Sequence, residues 1–527
     1  MLRDLWVQKM ERRIVLKIER TRNATNNLKW GIINKVASLL IPFICRTAVI
    51  QIFGINYLGL NSLFTSILSA LNLAELGFGS AVVFFLYRAI AEDDTEKICA
   101  LLNYVKHVYH VVGSVVLILG LSLMPFLESL IKSDVPAEVN IYLLYLLTLA
   151  STVLSYFLFA YRNAVFLACQ RVDIVSKIGT IVMVVEKLLQ LVFIFVFKNY
   201  YLYIATAIFA GILNNLLVFY FSKKRYPQYK AVGLLGRKEK KQIMHKIQGL
   251  FAYKLGNVVN ASADSVVISA FLGLTIMGQY GNYYYVLSTL MAFLSVYYAS
   301  FRAGIGNSMI VESIEKNHRD FRVLQLSQNW IVGWCTICLF CLFQDFIAIY
   351  VGKQHQLEFG YVVCLCLYFW IWKVQDVVYV FKEAAGLWTQ DSLRPLIGAM
   401  VNLGLNLMLV QFIGLYGVIL STVCVFLFMD IPWASRVLFK HYFGFGAGGY
   451  YKLLLVGFLQ LLGMLLPTYF LCMLVDVESL LVQLMVKAAI CVTVPNLLFV
   501  AMNYRKQEFI AIRSRVFRIL RTKMKKR

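Results

Sequence analysis

The sequence predicts an all-α polytopic membrane protein with about 14 transmembrane helices, built as two parallel six-helix bundles plus two C-terminal helices. Three observations predict it. Of 527 residues, 60% are hydrophobic and only 15% charged, and mean hydropathy is +0.71. A soluble chain carries about a quarter charged residues and under half apolar ones, so a water-soluble enzyme could not cover this much apolar surface. Only 8 prolines and 32 glycines interrupt the chain, which permits long helices. Apolar runs near the roughly 20 residues that a bilayer crossing requires recur along the sequence.

The first element, residues 1–29, holds Arg3, Lys9, Arg12, Arg13, Lys17, Arg20, Arg22 and Lys29. It is too charged for the apolar region of a signal peptide. Leu5 and Trp6 with Ile14, Val15, Leu16 and Ile18 suggest a basic helix lying on the membrane surface. Apolar windows follow at about 30–53, 57–88, 104–126, 139–161, 173–197 and 200–221. The second is too long for one straight span. Its Leu73-Ala-Glu-Leu-Gly-Phe-Gly-Ser80 stretch places two glycines and a carboxylate inside it, so a break is expected there. A basic loop at 222–247 separates these windows from six more at 248–272, 277–304, 326–351, 360–381, 394–413 and 415–438. Two extra windows, 453–475 and 479–502, precede a basic tail at 503–527.

The net charge, 51 − 27 = +24, would point to nucleic acid in a soluble chain. Here the charge sits beside membrane spans, in the N-terminal segment, in nine basic residues over 222–246 and in ten over 505–527. Basic residues in such places mark the cytoplasmic side and attract anionic lipid headgroups. No nucleic-acid partner is expected. An even number of spans puts both termini on one side with the basic loop. The opposite loops carry few cations (Lys132, Lys198, Lys353) and include Glu128, Asp134, Glu138, Asp476 and Glu478. Both ends are therefore expected to be cytoplasmic.

An internal repeat runs through the chain. Phe159–Gln170 aligns with Tyr379–Gln390 at an offset of 220, placing Arg162 on Lys382, Ala164 on Ala384, Leu167 on Leu387 and Gln170 on Gln390. Separately, Gly54, Gly59, Ser69 and Leu71 fall on Gly273, Gly278, Ser288 and Leu290 at an offset of 219. Two distant segments agreeing on nearly one offset indicate parallel halves, residues 30–221 and 248–438, related by an axis along the membrane normal.

Ionisable residues inside apolar windows are the candidate functional residues, because each costs about 2.5–3.5 kcal/mol at mid-depth on insertion scales. They are Lys35, Arg46, Glu75, Glu186, Lys187, Lys254, Asp264, Lys373, Asp376, Asp430 and Lys487. Arg302, Arg394 and Asp430 lie near helix ends, where they can snorkel or cap. Arg46 and Lys254 are far from any expected span end and come from corresponding windows, the first and the seventh. Charge from both halves would make a cationic central cavity suited to an anionic substrate such as a diphosphate. Lys35 and Lys373 join them as candidate substrate contacts, and Glu75, Asp264 and Asp376 are candidates for gating or coupling. The competing reading is structural: Lys373 and Asp376, spaced i, i+3, could neutralise each other, and Asp264 could pair with Arg46.

Covalent chemistry has no visible home. There is no phosphate-cradling G-x-x-x-x-G-K-[ST] motif, and the histidines, His107 and His110 included, form no metal-ligand grouping. The eleven cysteines, including Cys335, Cys338 and Cys341 every three residues, read as small apolar packing groups with no metal to hold. No enzyme activity and no cofactor are expected, and any transport would run on an ion gradient, the membrane potential or the substrate's own gradient.

Several segments resemble one family. Leu71-Asn-Leu-Ala-Glu-Leu-Gly-Phe-Gly-Ser-Ala81, then Leu86-Tyr87-Arg88 and Glu92-Asp93-Asp94, is similar to the second-helix signature of polysaccharide flippases. So are Gly306-Asn307, Glu383-Ala-Ala-Gly-Leu-Trp388 with Arg394-Pro395, and Asn402 and Asn406 followed by Gly414-Leu-Tyr-Gly417. The chain thus resembles the polysaccharide-repeat (O-antigen and capsule type) flippases of the multidrug/oligosaccharidyl-lipid/polysaccharide exporter superfamily over about residues 30–505. The resemblance implies two bundles in a V that open alternately to each side of a bacterial cytoplasmic membrane. It implies an undecaprenyl-diphosphate-linked oligosaccharide as substrate, flipped from the inner to the outer leaflet, and basic cavity residues that would map by location to Arg46 and Lys254. Lipid II flippases also have fourteen spans, the last two forming a lipid groove in which Lys487 would be an unexpected charge.

Two other readings stay open: an exporter of amphipathic small molecules coupled to H+ or Na+, and a membrane glycan polymerase or ligase, which usually carries a larger outer loop. Reporter fusions after residues 95, 235, 315, 445 and 520 should read cytoplasmic, and those after 134 and 355 external. An external signal at 235 would overturn both span count and repeat.

Overall fold

The computed structural model describes residues 2–72, 78–133 and 135–524, apart from the side chains chiefly of 2–22, 78–81, 245–254 and 516–524. Among the described residues the chain is helical, with no β-strand. It divides into two compact units, residues 1–258 and 259–527.

The first unit opens with α1 (Leu2–Ile52), one continuous helix in which the basic segment leads directly into the first apolar span. Then come α2 (Ile55–Leu71) and α3 (Phe78–Ala91). They flank the glutamate–glycine segment, whose residues 73–77, Glu75 among them, lie outside the described residues. α4 (Thr95–Leu123) is capped by Asp94, whose carboxylate accepts the Lys97 amide at 2.9 Å. Asn140 caps α5 (Ile141–Phe157) in the same way. A 52° bend separates α5 from the short helical segment 160–168, which ends in α6 (Asn163–Ala168). α7 (Val172–Phe195) and α8 (Tyr200–Arg225) complete the bundle, with α1 packed along α7, and α8 against both α5 and α7.

The unit boundary falls within α9 (Arg237–Leu272), which α10 (Leu274–Val311) follows. Gly54 and Gly273, the pair matched at offset 219, do the same job: each precedes a helix with extended ψ and positive φ, +102° and +92°. That conformation strains any residue with a Cβ.

In the second unit α11 (Ile314–Val351) is the hub. It touches α10, α12 (Phe359–Val374), α13 (Asp376–Ala384), α17 (Gly448–Met473), α18 (Leu480–Asn503) and α19 (Gln507–Met524). Between them in sequence lie α14 (Arg394–Ile413), α15 (Leu415–Val425) and α16 (Ile431–Leu438). The α14–α15 turn depends on Gly417, where an added Cβ would sit 2.5 Å from the Leu409 carbonyl.

Eleven of the described helices are long and apolar enough to cross a membrane, or up to twelve if the bent pair is one span. The expected count of fourteen is not reached on that measure, because Ile55–Leu71 and Val258–Leu272 are apolar but short. Their surface is inverted relative to a soluble protein: Phe412 and Phe428 are about three-quarters exposed, while Asn402, Asn406 and Gln328 are fully buried.

Buried charge is paired. Arg394, expected to snorkel, instead bonds both Asp391 oxygens (2.8 and 3.1 Å) and pairs with Asp430 at 2.9 Å, while Lys382 also holds Asp391. A π-helical turn at Phe426–Asp430, just before Pro432, delivers Asp430 to that cluster. Lys487 on α18 bonds Asp345 on α11 at 2.7 Å, which accounts for the charge left unexplained in the last span. Removing one partner of a desolvated pair strands the other charge, so Lys487→Met should destabilise the protein by about 3 kcal/mol. The double variant Lys487→Met/Asp345→Leu should recover most of that loss in thermal unfolding of the detergent-solubilised protein.

Candidate functional site

Helix α1 supplies the cations of the first unit. Lys35 and Arg46 are 11 residues apart (46 − 35), three helical turns, so they lie on one face about 16 Å apart. Both are half-buried. Next to Lys35, Asn34 donates to Thr180 Oγ1 at 3.0 Å and to the Ser176 carbonyl at 3.3 Å, which fixes α1 on α7. Arg46 lies within electrostatic range of the fully buried Tyr200. Below it, Lys187 donates to Glu186 and Gln190, both at 2.9 Å, and Gln190 donates to Glu186 and Thr206, both at 3.1 Å. Lys187 and Glu186 thereby neutralise each other. Lys254 lies on α9, but its side chain is outside the described residues, as is Glu75.

The second unit holds two different arrangements. Lys373 and Asp376 flank the break between α12 and α13 and form a buried ion pair. The carbonyls freed by that break are taken by glutamines of α11: Gln325 Nε2 donates to Val374 at 3.0 Å and Gln328 Nε2 to Lys373. Lys373 is thus a paired cation at a supported helix break.

Asp264 is different. It is buried, and its carboxylate accepts from Asn406 Nδ2 at 2.7 Å and Thr422 Oγ1 at 3.5 Å. Asn406 Nδ2 also reaches Asn402 Oδ1 at 3.2 Å, Asn402 Nδ2 donates to Thr422 Oγ1 at 2.9 Å, and Ser421 donates to Asn406 Oδ1. Three helices converge here: α9 gives Asp264, α14 gives the two asparagines one turn apart, and α15 gives the two hydroxyls. Among the described residues Asp264 forms no ion pair. A carboxylate with only neutral donors in a low-dielectric interior is stabilised by taking up a proton or a small hard cation. The surrounding amide and hydroxyl oxygens are the ligand type such a cation prefers. Asn402 and Asn406 were visible in sequence as an i, i+4 pair. Ser421 and Thr422 gave no signal of their own.

The cysteines also depart from expectation. Those of α11, α17 and α18 are not scattered: the sulfurs of Cys341, Cys472 and Cys491 all lie within 4.8 Å of one another. The i, i+3 spacing of Cys338 and Cys341 was legible, but their partners more than 120 residues away were not.

With this geometry in hand, the fold can be placed among solved structures. The chain shares its fold with solved MATE-type and MurJ-type structures. It is similar to an inward-facing MATE-family multidrug resistance transporter, with TM-score 0.61 and 12% identity over 79% of this chain and 99% of that one. It is also similar to the lipid II flippase MurJ in an inward closed conformation, with TM-score 0.62 and 15% identity over 91% of this chain and 98% of that one. The MATE transporter VcmN of Vibrio cholerae matches at TM-score 0.52 and 12% identity, over 81% and 99%. No protein-family profile matches the chain, and no curated protein does.

Asn406→Leu removes the principal donor to a buried carboxylate and should cost about 1–3 kcal/mol. Asp264→Asn keeps size and much of the hydrogen bonding and should cost less. Equal thermal stability of Asn406→Leu and the parent in detergent would sink the network as described.

Proposed function

We propose that the protein is a flippase for lipid-linked oligosaccharide, of the undecaprenyl-diphosphate type. It moves its substrate from the inner to the outer leaflet of a bacterial cytoplasmic membrane by alternating access, for surface polysaccharide synthesis. Both termini then face the cytoplasm, and the basic segments lie against anionic lipid. The observation that carries this reading is the pair of cations on one face of the first apolar helix, Lys35 and Arg46, where a hydrocarbon-facing helix would carry none. A diphosphate is the group that such donors favour, and a guanidinium can grip two of its oxygens at once. Lys254 contributes to the same cationic surface, Lys373 adds a contact at the α12 break, and Glu75 and Asp376 serve gating. Asp264 with its amide and hydroxyl neighbours is the coupling site for H+ or Na+.

The fold is common to flippases and multidrug transporters, and the length of chain matched differs between them. The likeness to MurJ runs over 91% of the chain, that to the MATE transporters over 79–81%. An ion-coupled exporter of amphipathic small molecules, favoured by the same Asp264 network, is the second reading, and a lipid II flippase is a third. Deletion separates them: inner-leaflet accumulation of a lipid-linked oligosaccharide supports the first, and drug hypersensitivity the second.

Replacing a guanidinium–phosphate contact with a neutral group removes about 1.5–3 kcal/mol, one to two decades in affinity. Arg46→Ala and Arg46→Glu should block surface polysaccharide while the protein inserts at normal levels, and Arg46→Lys should retain part of the activity. A purely structural Arg46 would instead lower membrane abundance. Normal polysaccharide in an Arg46→Glu strain would refute the cationic-surface reading.

A further inference from the structure

Three cysteines from three helices meet inside the second unit. Cys338 and Cys341 lie one turn apart on α11, Cys472 ends α17, and Cys491 lies midway along α18. Cys472 Sγ and Cys491 Sγ are 3.9 Å apart and fully enclosed, and Cys341 Sγ lies within 4.8 Å of both. Seven other cysteines are spread over α1, α4, α11, α12, α15 and the segment after α6.

We propose that Cys341, Cys472 and Cys491 hold one thiophilic metal ion, with zinc as the leading occupant, that fastens the two C-terminal helices to α11. The spacing carries the proposal. With zinc–sulfur bonds of about 2.3 Å, the edge of a tetrahedron of sulfurs is about 3.8 Å. The Cys472–Cys491 separation already matches that edge, and Cys341 needs only a small inward shift. A disulfide would need the same two sulfurs to close to about 2.05 Å, nearly 2 Å nearer than they stand.

Charge balance selects how many thiols ionise. Zn2+ + 3 Cys–SH gives Zn(S–Cys)3 with net charge −1 and releases three protons, each cysteine binding as its thiolate. Four thiolates would leave −2, which is harder to bury. The −1 is opposed by Lys487, whose ammonium acts on both Cys472 and Cys491 while it bonds Asp345. The site is also held in place, since Trp334 Nε1 donates to the Cys491 carbonyl at 2.9 Å. All this chemistry lies apart from Arg46 and Asp264, so the proposal stands whether or not the flippase reading does.

The test uses the full-length protein, purified in mild detergent without chelator after growth with added zinc. Elemental analysis should give about one zinc per chain in the parent and below about a tenth in Cys472→Ser and Cys491→Ser. Cys366→Ser, a buried cysteine on α12, should keep its zinc. Cadmium added to stripped, reduced protein should produce a thiolate-to-metal charge-transfer band in the parent and none in Cys472→Ser. Reduced, monodisperse parent protein that takes up neither Zn2+ nor Cd2+ would overturn the proposal. So would mass spectrometry of alkylated protein that finds Cys472 and Cys491 joined as a disulfide. Should the serine variants fail to elute as single species, the parent cadmium titration decides alone.

Discussion

Hydrocarbon offers no hydrogen bonds, and the rest of the structure follows from that constraint. A polar group at membrane depth must find its partner within the protein. Helices meet the demand for the backbone, and where a helix breaks, side chains take over. The α12–α13 break shows the mechanism: two glutamines from α11 donate to the carbonyls of Lys373 and Val374, and the ion pair Lys373–Asp376 spans the gap. The Lys382–Asp391–Arg394–Asp430 cluster does the same for the irregular stretch after α13. Its two cations and two anions cancel. Each of these buried charges is balanced within its own unit, which makes Asp264 informative.

The two units differ in the charge they gather. In the first, cations lie along one face of α1, while the neighbouring Glu186–Lys187 pair is self-neutralising. In the second, Asp264 has only amide and hydroxyl partners. Under the proposed function this division has a use. An anionic substrate answers the cations of α1 and a monovalent cation answers Asp264, so each unit binds one of two species whose charges offset. A chain needing rigidity alone would be more stable with the Asp264 site apolar, because a buried charge without a counter-charge costs more than it returns.

Much of the fold was legible because hydropathy reports span positions directly. Each of the fourteen apolar windows contains helix, yet the boundaries differ for a physical reason. The ninth window was expected at 326–351, while α11 begins at Ile314, since its first turns are polar and carry Asn317, Arg319 and Asp320. Hydropathy sees the apolar part of a helix and is blind to its continuation. The site was legible at the level of single residues only. Asp264 stood out as a carboxylate in an apolar window, and the asparagines as an i, i+4 pair. That these meet Ser421 and Thr422 depends on α9, α14 and α15 converging, which no local spacing encodes. Arg394 and Asp430 looked able to reach the interface because they lie near helix ends. Instead, each finds the other across α14 and the π-helical turn, and a buried ion pair replaces snorkelling.

The C-terminal helix pair takes the argument one step further. Between lipid-facing helices there is no hydrophobic drive to associate, since lipid tails are as apolar as leucine; packing and polar contacts must hold them. The seam carries polar contacts at several levels among its apolar ones. Lys487 meets Asp345, Trp330 donates to Asn496 at 2.7 Å, Trp334 donates to the Cys491 carbonyl, and Gln460 ties α17 to α18 through Asn503 at 2.9 Å. Three of these contacts join α11 to α18 at different levels, so sliding one helix past the other would break several at once. A loosely attached pair would need only one such anchor. Three ties from α18 to α11, with α17 tied to α18 by the fourth, argue that the pair moves with α11 as one body, and that the charge in the last span is part of what binds it there.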